Sequence, residues 1–551
     1  IGCLEMRLND TVSVTTDERL SKTNFLGRLY TTDTSGIYSA SMSDPDQALR
    51  DVVKGASIVY IGLFLELIIA FVAQVIAARY LSVGEFGGLT AGTALLDIGS
   101  IVAGLGLASG LTRYLPRVEA AEKRLLALFT VGSTALISTA LGIVVAFNAS
   151  TIAAQIFDNP SVAVSIRIFG IAIPFAALLN VAIGGIRGQE RSTDRVIVKN
   201  IVQPLARITL VAGAVWYWLG QAGLAGAYAI PYLISAIIGL LLFYRSLPEI
   251  SATFDADLMS EVTRYSLPFT ISGVSGFVYR SMDIFLVLYF IGDTATGIYG
   301  VAYAAVSFIG MFSTAFNFLG APIASRLEND RDINDVIQMF RTIVRWLIIA
   351  SVCGLVPLGV FATDFITIIY ESKYASGGAV LTILAVGFAA KNVLSVHGPI
   401  LGAVGRSKIL SANSVIAAVS NLLLNLVFIP RFGITGAALA TVISFIIRDG
   451  LAAIQVYFAL EYSLITWEST RPLIPAIPFL VLIQAVVAPI IPGTLLWLLA
   501  VTSLATTTYL GVVLLLFGIS ETELMIIRSV EERYELDLSR VDWLITRLAE
   551  R

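Results

Sequence analysis

The chain has 551 residues, of which 57% are apolar and only 14% are charged, and its formal net charge is −3. A soluble protein carries about 25% charged residues, so this composition indicates a chain that crosses a membrane many times. It excludes a cytosolic enzyme, a nucleic-acid-binding protein and a secreted disulfide scaffold, and two cysteines and one histidine, His397, are too few for a metal or histidine-based catalytic centre.

The first 54 residues are polar and contain no apolar run of the length that a signal peptide requires. We predict a polar cytoplasmic tail for residues 1–54. At the other end, residues 519–551 are charged, but Leu524, Ile527, Val530 and Tyr534 recur at helical spacing. This second tail is predicted to form a cytoplasmic amphipathic helix.

Between the tails lie apolar segments, each long enough for a helix that crosses a hydrocarbon core of about 30 Å. We count fourteen, at 56–78, 86–109, 125–147, 162–186, 196–219, 223–244, 265–291, 296–320, 338–362, 378–404, 409–429, 433–459, 473–491 and 494–517. The sequence therefore predicts an all-α polytopic membrane protein.

Basic residues in the loops test this count. Seventeen Arg and Lys residues fall on one side of the predicted bundle, and only Arg79, Lys373 and Arg431 fall on the other. Cytoplasmic loops carry the excess of positive charge, so both termini are predicted in the cytoplasm and the protein in the plasma membrane.

Short motifs recur about 210 residues apart. Residues 223–227 (GLAGA) open span 6 and residues 433–437 (GITGA) open span 12, and similar pairs link span 1 to span 7 and span 4 to span 10. An offset of six spans gives both copies the same orientation, an arrangement typical of alternating-access transporters. We predict two parallel six-helix lobes, at 55–246 and 262–460, and an appended helix pair at 472–518.

Several segments resemble polysaccharide-export flippases. Residues 77–87 (AARYLSVGEFG) resemble the opening of those proteins, as do residues 104–107 (GLGL) with Arg113-Tyr114. Similarity continues in the second half at 281–286 (SMDIFL), 296–303 (TGIYGVAY) and 421–441 (NLLLNLVFIPRFGITGAALAT). The chain is identified as a member of the multidrug/oligosaccharidyl-lipid/polysaccharide (MOP) exporter superfamily, nearest the O-antigen-type flippases of lipid-linked oligosaccharides.

The resemblance implies a MATE-like pair of lobes around a central cavity that rocks to move a lipid-linked saccharide across the membrane. It implies a transporter, not an enzyme. Its partners would be membrane lipids and the lipid-linked substrate, without nucleic acid, and the protein would be a monomer. No organic cofactor is expected, and Na⁺ or a proton is the candidate coupling ion.

Charged residues inside predicted spans are costly and indicate functional positions. Arg207 and Lys391 lie near mid-span without an acid in reach on their own helix, and Arg280 also lies within a span. We predict that these three cations bind the phosphate of the substrate head group. The alternatives are that Arg207 and Lys391 pair with Glu66 or Asp97 from other helices and that Arg280 pairs with Asp283.

Three carboxylates within the spans, Glu66, Asp97 and Asp283, are candidates for ion coupling. Arg448 and Asp449 are adjacent and are expected to find partners elsewhere, because neighbouring residues do not share a helix face. Arg167 is expected to reach toward the outer surface. His397 is expected to be a hydrogen-bonded core residue.

Two other functions compete with lipid-linked saccharide transport. A cation-coupled exporter of drugs or metabolites would use an acidic, aromatic site, whereas the unpaired charges here are mainly basic. A membrane glycosyltransferase or polymerase would need a long outer loop for its catalytic groups, and the predicted outer loops are short.

Overall fold

A computed structural model describes residues 45–249, 255–324, 333–487, 493–519 and 523–524, and the regular elements in these ranges are all helical. The longer helices are α1 Pro45–Tyr80, α2 Val83–Ala103, α3 Leu107–Tyr114, α4 Ala120–Phe147, α5 Ala163–Gly188, α6 Gln203–Trp216, α7 Gly220–Arg245, α8 Ala256–Phe290, α9 Asp293–Ala324, α10 Ile333–Leu355, α11 Ala362–Tyr370, α12 Gly378–Ser395, α13 His397–Ala403, α14 Ser407–Leu460, α15 Leu473–Leu482 and α16 Leu495–Phe517. Short α, 3₁₀ and π turns connect them.

Thirteen helices in the described ranges are long and apolar enough to cross a membrane, which confirms the predicted class of all-α polytopic membrane protein. One of them, within α14, contains 53 residues, about twice the length that one crossing needs. Its backbone turns at Gly433, where φ is 61° and ψ is −143°. Asn413 and Gln455, on either side of this turn, exchange hydrogen bonds of 2.6 and 2.9 Å. α14 is thus a helical hairpin that supplies two crossings, the predicted spans 11 and 12.

The ends of the chain lie partly outside the described residues. Residues 1–44 are outside, as is the predicted C-terminal amphipathic helix except for residues 523–524. Helix α1 begins at Pro45, nine residues before the predicted end of the polar tail at residue 54. The prediction placed the boundary where the sequence becomes apolar, but proline suits the first turn of a helix and polar residues can continue it outside the membrane.

Predicted span 2 is interrupted. Helix α2 ends at Ala103, and α3 starts after Gly106, whose φ is 66°. A side chain at Gly106 would also collide with the carbonyl group of Ser266 in α8. Glycine therefore permits both the left-handed turn and the close approach of α3 to α8.

The two halves of the chain pack in the same order. Helix α5, the fourth crossing, packs against α2, α4 and α7, which are the second, third and sixth crossings. Helix α12, the tenth crossing, packs against α9, α10 and α14. These helices supply the eighth crossing, the ninth crossing, and the eleventh and twelfth crossings. This correspondence is what a six-helix repeat requires. The lobe boundaries themselves remain a prediction.

Candidate functional site

The predicted cation Arg207 lies on α6 and faces two tyrosines of α7. Its guanidinium carbon is 5.3 Å from the ring centre of Tyr228 and 5.9 Å from that of Tyr232. Its Nε is buried and has no hydrogen-bond partner among the described residues. The charge is thus stabilised mainly by aromatic faces, which attract a cation, and one of its donor groups stays unsatisfied.

Lys391 has a similar environment on α12. Its ammonium nitrogen lies 4.3 Å from the ring centre of Phe445 and 4.9 Å from that of Phe388. Within the described part of the chain, no carboxylate oxygen is within the 4 Å ion-pair distance of this nitrogen. Asp449 and Arg280 lie farther away but within electrostatic range.

Arg280 and Asp97 link the positions of Arg207 and Lys391 electrostatically. The charge of Arg280 on α8 acts on Lys391 and also on Asp97 of α2, and Asp97 in turn lies within range of Arg207. Asp97 and Arg280 are both exposed. We refer to Arg207, Arg280, Lys391 and Asp97 as the central charge cluster. Each of the three predicted cations, from helices of both halves, is within electrostatic range of at least one other member of this cluster.

Glu66 of α1 is part of a separate arrangement in the first half. Its carboxylate accepts a hydrogen bond from Asn200, and its charged neighbours include Lys199 and Arg207. Lys199 and Asn200 belong to a π-helical turn, Ile197–Val202, before α6. Lys199 was not among the site residues predicted from the sequence, because the sequence carries no signal for a π-turn.

Asp283 of α8 does not form the alternative local pair with Arg280. It is buried, and it accepts hydrogen bonds from Tyr299 of α9 and, at 3.0 Å, from Thr441 of α14. Asn421 and Asn425, also buried in α14, are joined by a 3.0 Å hydrogen bond. Asp283 is thus a carboxylate surrounded by neutral groups, separate from the central charge cluster.

The prediction for Arg448 and Asp449 was wrong. Their side chains form an ion pair with each other at 3.1 Å, because the long arginine side chain can reach back to its neighbour. The Arg448 guanidinium also lies 5.3 Å from the ring centre of Tyr279. His397 agrees with its prediction, since it is buried with Nδ1 2.8 Å from the carbonyl oxygen of Leu394.

Polar contacts join the two halves at the end of the bundle that contains Lys373, which we call the Lys373 end. Arg79 donates hydrogen bonds to the last carbonyl groups of α11, while Lys373 and Tyr374 donate to carbonyl groups at the end of α1. Ser161, before α5, donates to the carboxylate of Asp293 on α9 at 2.7 Å. The halves are therefore closed against each other at this end.

The opposite end has a smaller set of contacts, between α3 and α8. The Arg113 guanidinium lies 4.4 Å from the ring centre of Tyr265 and donates a 3.2 Å hydrogen bond to its hydroxyl group. Tyr114 donates a 2.8 Å hydrogen bond to Glu261, and this bond raises the pKa of the Tyr114 phenol.

Helical crossings packed in two similar halves, with charged side chains of both halves within electrostatic range of one another, have the architecture of a multi-pass membrane protein. The sequence profile of the family described as polysaccharide biosynthesis protein matches residues 52–328, half of the chain. The protein belongs to this family.

Two relatives are found in Haloferax volcanii. The probable low-salt glycan biosynthesis flippase Agl15 is 27% identical over 319 residues, which cover 56% of this chain and 65% of that protein. The probable flippase AglR is 24% identical over 280 residues, covering 49% of this chain and 56% of the relative. The matches thus span less than two thirds of either relative.

Two solved structures share the fold. The lipid II flippase MurJ in its inward closed conformation has a TM-score of 0.68 at 16% identity, with coverage of 83% of this chain and 98% of that one. An inward-facing multidrug resistance transporter of the MATE family has a TM-score of 0.60 at 12% identity, with coverage of 72% and 96%. At these identities the two structures show a shared fold, whereas the resemblance to polysaccharide-export proteins found in the sequence is confirmed by the family match.

Proposed function

We propose that the protein is a flippase that moves a saccharide linked to a polyprenyl or dolichyl phosphate or pyrophosphate from the cytoplasmic to the outer leaflet. The observation that carries this proposal is the central charge cluster. It contains three cations, from both halves, that have no ion-pair partner among the described residues. A phosphate or pyrophosphate is the ligand that such cations bind most strongly in a site of low dielectric constant.

The geometry supports specific roles for these residues. Arg207 would donate its unsatisfied Nε–H and its other guanidinium hydrogens to a phosphate oxygen, while Lys391 and Arg280 would approach the same group from the second half. The rings that hold Arg207 and Lys391 are also suitable surfaces for the apolar faces of sugar rings. A head group bound to both halves would move with them as one end of the bundle closes and the other opens.

The orientation follows from the loop charges. We place both termini in the cytoplasm of a plasma-membrane protein that acts as a monomer and catalyses no chemical step, and the Lys373 end then faces outward. The contacts around Arg79, Lys373 and Asp293 close the outer side, so this conformation would receive its substrate from the cytoplasmic leaflet.

For energy coupling we propose Na⁺ or a proton, with Asp283 as the first candidate among Glu66, Asp97 and Asp283. Asp283 is buried and is surrounded by the neutral hydroxyl groups of Tyr299 and Thr441. A buried carboxylate without a cationic partner is stabilised by binding a proton or a small cation. Glu66 and Asp97, in contrast, have arginine or lysine charges nearby.

Alanine variants of the two aromatic-bound cations test the function. In cells that depend on this protein for surface glycan, Arg207→Ala and Lys391→Ala should each abolish glycan display at normal protein abundance, and lipid-linked saccharide should accumulate inside. Arg207→Lys should keep part of the activity, because charge is retained although the planar fork is lost. Arg431→Ala, at an exposed arginine outside the cluster, is the matched control.

Two results would contradict the proposal. Normal glycan display in both alanine variants at normal abundance would remove the cations from the transport mechanism. Normal glycan together with a changed efflux of organic cations would favour the exporter function, for which the MATE-like fold is equally suitable.

A further inference from the structure

An open groove lies on the membrane-facing surface between α4 and α5, away from the central charge cluster. Its volume is about 640 Å³, and it runs from Phe147 and Arg167 at one end to Leu178 at the other. Apart from Arg167 and Thr139, the lining side chains are apolar or absent. The groove therefore combines a long apolar channel with one positive charge at its mouth.

Two glycines bring the walls of this groove together, and one of them, Gly142, also lines it. A side chain on Gly142 of α4 would come within 2.7 Å of the carbonyl oxygen of Gly170 on α5, and one on Gly170 would come within 3.0 Å of the backbone of Ala146. The two helices thus meet backbone to backbone. Ile143 and Ile171 stand beside the contact with 51% and 55% of their surfaces exposed. Close helix contact between exposed apolar walls produces a furrow that a chain can occupy.

The charge at the mouth has no acid to neutralise it within the described ranges. Arg167 is exposed, its Nη2 donates a 3.1 Å hydrogen bond to Ser150, and it forms none of the four ion pairs found there. It lies near the start of α5, beside the Ser161–Asp293 contact of the Lys373 end. A cation at this depth is suited to the phosphate of a lipid head group.

The length of the groove identifies the occupant. Arg167 and Leu178 are eleven residues apart, about 16 Å at a rise of 1.5 Å per residue. One leaflet of a bilayer contributes about 15 Å of hydrocarbon, half of the 30 Å core. The groove thus accommodates one chain of a bilayer-forming lipid, whereas a polyprenyl carrier has a chain several times longer.

We propose that this groove is a binding site for an anionic glycerophospholipid of the leaflet at the Lys373 end. The phosphate binds Arg167, and one hydrocarbon chain lies along Gly142 and Ala146 between Ile143 and Ile171. The bound lipid fills the gap between α4 and α5 and stabilises their contact.

Native mass spectrometry of the full chain, stripped of lipid in detergent and titrated with phosphatidylglycerol, tests this site. Arg167→Ala should weaken binding about fivefold, the contribution of one cation near an anionic lipid surface. Ala146→Phe should also weaken it, because the added ring occupies the groove and leaves the charge in place. Arg167→Lys should retain most of the binding, and Arg431→Ala should bind like the unchanged protein.

Phosphatidylglycerol binding that is equal in the unchanged protein, Arg167→Ala and Ala146→Phe would overturn the proposal. Displacement of phosphatidylglycerol by an equal concentration of polyprenyl phosphate would also overturn it, since the groove would then belong to the glycan carrier. Diacylglycerol with the same chains should bind the unchanged protein and Arg167→Ala equally, because it has no phosphate. A preference of diacylglycerol for the unchanged protein would show that Arg167 does not act through the phosphate.

Discussion

Arg79 and Lys373 each donate hydrogen bonds to backbone carbonyl groups at the end of the helix that the other residue adjoins. The Arg79 guanidinium, at the end of α1, donates hydrogen bonds of 2.7 and 2.6 Å to the carbonyl oxygens of Ile369 and Ile368 at the end of α11. Lys373, three residues after α11, donates a 2.9 Å hydrogen bond to the carbonyl oxygen of Arg79. A cation at the carboxyl end of a helix satisfies free carbonyl groups and complements the helix dipole. This reciprocal contact joins the two halves.

Loss of either cation should open the Lys373 end. Each cation makes two hydrogen bonds to backbone carbonyl groups, which water partly replaces when the cation is lost. With a net loss of about 1.5 kcal/mol, Arg79→Met or Lys373→Met should raise the open fraction about tenfold. A membrane-impermeant maleimide, added from outside, should then label Ser281→Cys faster in a background with Cys3 and Cys353 replaced by serine. Arg431→Met is the control. An unchanged labelling rate in the Arg79→Met/Lys373→Met double variant would show that other contacts close the Lys373 end.

The turn in α14 makes a separate prediction about folding. Gly433 has φ 61° and ψ −143°, a conformation almost restricted to glycine, so Gly433→Ala should destabilise the protein by about 1–3 kcal/mol. Gly450→Ala, in the same helix but with open space around the added methyl group, should be neutral or stabilising. Melting temperatures in detergent compare the two. Equal melting temperatures would mean that the turn adapts to a side chain.

The ion pair of Arg448 and Asp449 predicts a difference in protein abundance between alanine variants of Arg448 and of Lys391. Arg448→Ala leaves the buried carboxylate of Asp449 without its partner and should lower protein abundance more than Lys391→Ala, which breaks no ion pair. Asp449→Asn in addition should restore the abundance of Arg448→Ala. Quantitative immunoblots of the membrane fraction measure this effect. If the abundance of the Arg448→Ala/Asp449→Asn double variant is not restored, the loss of abundance comes from the missing contact of Arg448 with Tyr279 instead.

Asp283 predicts the location of ion coupling. Asp283→Asn should abolish acceleration of transport by a Na⁺ or proton gradient in proteoliposomes, while binding of the substrate head group stays unchanged, because Asp283 lies outside the central charge cluster. Glu66→Gln should retain the acceleration. The opposite result, with coupling lost only in Glu66→Gln, would place the coupling ion in the first half.

Much of this organisation could be predicted from the sequence. Apolar length and loop charge predict the crossings, including the two within α14, because Gly433 follows Pro430 and Arg431 in the sequence. Cations without a nearby acid, such as Arg207 and Lys391, stand out in an apolar chain. What could not be predicted depends on three-dimensional detail: the π-turn that brings Lys199 toward Glu66, and the side-chain conformation that lets Arg448 reach Asp449.

The position of Asp97 bears on the step of the proposed transport cycle in which no substrate is bound. A carrier must also return empty, and bringing together cations from two halves without an anion between them would raise the energy of that step. Asp97 lies within electrostatic range of Arg207 in the first half and of Arg280 in the second. If the protein carries a phosphate as proposed, the Asp97 carboxylate would be the internal counter-ion of the empty carrier. An arriving phosphate would take over this role, so that the loaded and the unloaded protein could both change conformation.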